Sequence, residues 1–147
     1  MEQSILVAVN DSASSRRALE YLSELAICQG DAHITLLHVF RKPSASQELM
    51  GQKYMPQQQE RFMRLLEDAR NFLLSKGGAS GKIELKLITT PYSTVTEGII
   101  DQFNKGDYTM VVLGRKQMSK AEEFVLGDVG VKLVRALEGG AILVVKS

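Results

Sequence analysis

The chain has 147 residues, a formal charge of +1, 44% hydrophobic and 24% charged residues. That is one domain's length with a globular composition, enough to bury a core without disulfides or metal, and it argues against wholesale disorder. The near-neutral charge gives no electrostatic reason to expect nucleic acid or an anionic membrane as partner. Cys28 stands alone, so no intrachain disulfide forms, which suits a reducing cytosol. The start, MEQSILVAVN, lacks the basic region and the length of a signal peptide, and no apolar run reaches a membrane span, so a soluble, cytoplasmic protein is expected.

In chain order, Ile5 to Val9 is almost continuously apolar, the pattern of a strand covered on both faces. After Asn10-Asp11-Ser12 the period changes to that of a helix, carried by Ala18, Leu22, Leu25, Ala26 and Gln29, with Ser12 or Ser14 as N-cap and Gly30-Asp31 as its end. His33 to Phe40 reads as the second strand. From Arg41 to Pro56 the period lapses, and this stretch is expected to form an excursion at the carboxyl edge of the sheet, an ordinary insertion or a lid. Phe62, Leu65, Leu66, Ala69, Phe72 and Leu73 then share one helical face, which stops at Gly77-Gly78. Ile83 to Thr89 alternates, as an edge strand does. Thr94 with Glu97 forms a capping box opening a helix through Ile99, Ile100 and Phe103, closed by Asn104 to Asp107. Thr109 to Leu113 is a strand expected to end at Gly114, a helix follows from about Gly127 to Leu137, and Ala141 to Val145 is the last strand.

Five strands alternating with four helices predict a single-domain, doubly wound, parallel α/β sheet of flavodoxin or Rossmann type, with helices on both faces. Ligands of such sheets bind beyond the carboxyl ends of the strands, here Asn10-Asp11-Ser12, Val39-Phe40 and Gly114. A response-regulator receiver is excluded because its third strand should end in a phosphorylatable Asp, whereas this one reads Ile88-Thr89-Thr90-Pro91. The NDSASS loop lacks the glycines of a flavodoxin, Rossmann or Walker phosphate loop, leaving the later stretch framed by Gly114 and Gly127 as the phosphate-loop candidate. Other chemistry has little support. His33 and His38 lie five apart in one strand, on opposite faces, and cannot chelate one metal. Cys28 has no nearby His or Asp in sequence, Glu122-Glu123 fits a solvated turn, and Met50 and Met55 suggest an adaptable contact surface.

ILVAVNDSASSRRALEYL, LLHVF and VVLGRKQMSKAEEFVLGDV stand in the order and spacing of the universal stress proteins, and the chain resembles that family over essentially its whole length, as one domain spanning 1–147. The resemblance implies the adenine-nucleotide α-hydrolase-like version of the fold and a regulatory role in stress response, with a weak ATPase at most. The nucleotide-binding members carry GxxG, nine residues, then Gly followed by Ser or Thr. Gly114 and Gly127 match the first and third glycines, Arg115 and Lys116 sit inside the frame, and Val39 matches the position whose backbone meets adenine.

The contents of the frame depart from the pattern. Gln117 replaces the second glycine, Asp128 (before Val129) replaces the Ser or Thr, and Asn10 replaces the acid ending the first strand, with Asp11 where a small residue often follows. A carboxylate and a phosphate charge about 5 Å apart at an effective dielectric of about 20 repel by roughly 3 kcal/mol. The lost hydroxyl hydrogen bond adds about 1 kcal/mol, so affinity falls on the order of a thousandfold. Asp128 also suits a helix N-cap, where it would occupy the amides a phosphate needs.

Two functions follow from the resemblance: a regulatory homodimer with a degenerate site and unidentified protein partners, or a switch that binds ATP or AMP, with or without Mg, through Asn10, Asp11, Val39, Gly114, Arg115, Lys116, Gln117, Gly127, Asp128 and Val129. An enzyme using Asp11 or Asp128 has no independent support, because no nucleophile and base pair assembles from the motifs. The family pairs its last strand with a twofold mate, so the resemblance implies a homodimer through Ala141 to Val145, an edge that would otherwise invite aggregation.

Overall fold

Winding that starts in the middle of a sheet and reverses once leaves a crevice at the reversal, and that crevice is what this fold positions. In a computed structural model of the chain, the residues described are 3–25, 31–41, 54–78, 82–116, 120–121 and 129–147. They form β1 (Ser4–Ala8), α1 (Ala13–Glu24), β2 (His33–Arg41), α2 (Tyr54–Ser75), β3 (Ile83–Tyr92), α3 (Val95–Lys105), β4 (Met110–Arg115), α4 (Val129–Ala136) and β5 (Ala141–Lys146). The strands are all parallel in the order β3-β2-β1-β4-β5, so β1 is central and the winding reverses between β1 and β4. The α/β class, the parallel pairing and the two edge strands match the sequence reading.

The period-two pattern divides the core in two. Ile5, Val7, Ile34, Leu36 and Val112 face α1 and α2, where Ala18, Leu22, Leu66 and Leu73 meet them. Leu6, Leu37, Val39, Val111 and Leu113 face the other way, toward Ile99 and Phe103 of α3 and Leu133 of α4. α1 lies against β4 and β5, while α2 lies against β2 and β3. Among the described residues no helix is long and apolar enough to cross a membrane.

Helix starts follow the capping residues. Ser12 accepts from Ser15 N–H, and Thr94 accepts from Glu97 N–H. Gly77, at φ 104°, follows the end of α2 where Gly77-Gly78 was expected to stop it.

Several boundaries differ from the sequence reading. α1 ends at Glu24 rather than near Gln29: Leu25 is extended, its N–H reaches Leu22 O, and Ser23 Oγ hydrogen-bonds Glu20 O, a local bond that competes with the helix. Ala26, Gln29, Gly30 and Cys28 lie outside the described residues. Tyr54 already begins α2, so the predicted 41–56 excursion loses its last residues to a helix, and Arg41 belongs to β2; 42–53 lie outside the described residues. β3 runs past Thr89 to Tyr92 with a register shift opposite Val39 and Arg41, and an edge strand accommodates Pro91 within it. β4 does not end at Gly114 but continues through it, because β5 keeps pairing: Gly114 lies opposite Val145 and Arg115 opposite Lys146.

Candidate functional site

The carboxyl end of β1 is held from β2. Val9 N–H donates to Leu37 O at 2.8 Å, and Val9 O accepts from Nδ1 of His38 at 2.7 Å, which sets the protonated ring nitrogen because a carbonyl only accepts. Beyond Val9 the polar loop closes on itself. Asn10 Oδ1 accepts from Ser12 N–H at 2.8 Å, Asn10 N–H donates to Ser15 Oγ at 3.0 Å, and Ser12 Oγ accepts from Ser15 N–H at 3.1 Å. Asp11 turns away and accepts from Nη2 of Arg61 on α2.

At the reversal of the winding lies a cleft of about 210 Å³. Its floor is Ala8 to Asn10, Leu37 to Val39, Leu113 and Gly114; Ser15 of α1, Val129 of α4 and Val95, Thr96 and Ile99 of α3 complete it. Four of the residues singled out from the sequence, Asn10, Val39, Gly114 and Val129, thus converge. The others do not. Asp11 is engaged with Arg61, and Arg115, on the same face of the sheet as Leu113, lines a separate groove between α4 and β5. Lys116 is exposed just past β4. Gln117, Gly127 and Asp128 lie outside the described residues.

Two glycines shape the cleft by what they let approach. A Cβ on Gly114 would sit 2.0 Å from Ser14 O, so this glycine admits the first turn of α1 against β4. A Cβ on Gly98 would sit 2.4 Å from Cγ1 of Val39, so α3 packs directly over that strand end. The contribution of α3 is what sequence reasoning missed. Its signal was present in the Thr94 cap, which places the first turn of a helix at the same carboxyl edge.

His38, 8% exposed and excluded in the sequence as a shared metal ligand with His33, joins the cleft to α2. Its ring stacks on Phe62 at 3.8 Å and 15°, Phe40 meets both rings edge-on, and the Arg61 guanidinium lies 5.2 Å from the centre of Phe62. Burial holds its pKa below the ordinary 6.5, against the opposing pull of the Val9 hydrogen bond and the Asp11 carboxylate. Between the native pKa and 6.5 the unfolded chain binds more protons than the native one, so stability rises with pH across that window. It is complete above the unfolded value and lost as the pH falls toward the native one. Urea midpoints measured from about pH 7.5 downward should therefore decline, and His38→Asn should flatten the decline. Asp31 and Asp101, held below the ordinary 3.8 chiefly by hydrogen bonds from Lys82 and Lys105, act only at lower pH, so the two limbs separate.

The comparisons accord with this geometry. No curated protein matches the sequence significantly. Among solved structures, the chain is similar to UspA from Lactobacillus plantarum, with 15% identity, a TM-score of 0.70 and 97% of each chain covered. A universal stress family protein from Burkholderia pseudomallei gives 20% identity and a TM-score of 0.67 over 99% of this chain and 96% of that one. A universal stress protein in complex with cAMP gives 14% identity and a TM-score of 0.66 over 97% and 95%. At such identities these likenesses show the fold. The sequence itself matches the model of the universal stress protein family over residues 1–146, and the chain belongs to that family.

Proposed function

We propose that this protein is a cytoplasmic, homodimeric regulator of stress response, acting through protein partners, whose adenine-nucleotide site has closed on itself. The observation that carries the reading is the use of the polar groups at the cleft mouth: Asn10, Ser12 and Ser15 hydrogen-bond one another's backbone, and Asp11 is paired with Arg61. A nucleotide would have to break bonds already made before it gained new ones. The cleft, at about 210 Å³, is also smaller than the ~300–1,000 Å³ of most small-molecule sites. The sequence changes at Gln117 and Asp128 act in the same direction.

The second reading, an ATP or AMP switch with slow hydrolysis at most, draws on the apolar cleft at Val39 and on the cAMP complex of one structural neighbour. Calorimetric titration of nucleotide-stripped protein with ATP, AMP and ATP plus magnesium separates the two. We expect no heat of binding from the wild type and recovery in Asp128→Ser, by up to about a thousandfold in affinity. Tight binding by the wild type would establish the switch instead; silence from both proteins would shift the search to protein partners.

A further inference from the structure

The same winding opens a second groove on the opposite face of the sheet. Because α1 lies against β4 and β5 and α2 against β2 and β3, the two helices diverge over the carboxyl end of β1. The groove between them measures about 320 Å³, larger than the cleft and within the ~300–1,000 Å³ of small-molecule sites. Its floor is Val9, and its walls are Leu19 from α1 and Leu65, Ala69 and Phe72 from α2. Exposed Arg16 stands on the α1 wall and exposed Asp68 on the α2 wall. Neither is ion-paired among the described residues, although their charges are opposite, so the two charges stand on facing walls of the groove without contact. Glu20, also at the rim, is engaged with Arg17.

We propose that this groove binds a small zwitterion with an apolar or aromatic body, its carboxylate on Arg16 and its ammonium on Asp68. An apolar lining between two separated, opposite charges matches such a molecule and no singly charged one equally well. The site shares Val9 and Asn10 with the nucleotide cleft but lies across the sheet from it, and it does not depend on whether nucleotide binds there.

L-Phenylalanine is the probe, titrated into the full chain with backbone amide shifts as the readout. We expect saturable shifts at Leu65, Ala69 and Phe72, binding weakened about tenfold by Arg16→Gln and by Asp68→Asn, and phenylacetate, which lacks the ammonium, insensitive to Asp68→Asn. Both substitutions are at exposed positions and leave the core intact. Absence of saturation by about 10 mM would overturn the proposal. Equal affinity for phenylalanine and phenylacetate would overturn it too, as would shifts confined to Val39, Thr96 and Gly114.

Discussion

Gly114→Ala is expected to destabilise the protein by about 3–5 kcal/mol, a loss far larger than a surface loop glycine would give. The new methyl carbon would lie 2.0 Å from Ser14 O, 2.3 Å from Ser14 C and 2.8 Å from Ser15 N, all backbone atoms, where ordinary contact begins at 3.4 Å. A side chain could rotate aside, but the first turn of a helix can only move as a unit. Moving α1 would disturb the packing of Ala18 and Leu22, both fully buried. The strain is one of space, since Gly114 is not among the glycines with positive φ. Gly139 is the converse: its φ is +86° but nothing lies within 4 Å of its Cβ position, so Gly139→Ala should cost only about 1 kcal/mol of backbone strain. Urea unfolding of the two variants is the comparison. A cost below about 1 kcal/mol at Gly114 would mean that the glycine serves a ligand rather than the packing of α1.

That glycine also marks where sequence reasoning stops. The apolar runs identified the central strands because a central parallel strand has both faces covered, alternation identified the edge strand β3, and Ser12 and Thr94 identified two helix starts because a cap is a local hydrogen bond. Ends governed by distant partners were not legible. β4 continues through Gly114 because β5 keeps pairing with it, and β3 continues through Pro91 because it lies at an edge. The same holds for the site. Asn10, Val39, Gly114 and Val129 converge because the topology brings strand ends together, a consequence the alternation of periods already contained. Asp11 is drawn off by Arg61, fifty positions away, and Arg115 lies along α4 and β5, and neither arrangement is visible in the motif that drew attention to them.

Val131→Lys combined with Val134→Lys is expected to convert the proposed homodimer into a monomer. β5 is an edge strand with one side unpaired, and beside it α4 exposes Val131 at 46% and Val134 at 70%, large for valines. With Ile142 and Val144 they form an apolar groove whose rim is cationic, from Arg115, Arg135 and Lys146. Twofold pairing of β5 would bury this surface, and an isologous interface repeats every substitution, so two lysines per chain become four ammonium groups placed among like charges. Even at about 1.4 kcal/mol each, the dissociation constant rises on the order of ten-thousandfold. Light scattering at micromolar concentration measures the outcome, with circular dichroism to confirm that the fold survives. A wild-type monomer would refute the dimer, and a dimeric variant would place the interface elsewhere. α4 gives the interface a bearing on function. It has eight residues, too few to be stable alone, and Leu133 is its only buried one, yet it also carries Val129 into the cleft. A partner chain covering Val131 and Val134 would hold α4 in place, so the monomeric variant should exchange amide hydrogens faster across Val129–Ala136 while the sheet remains protected.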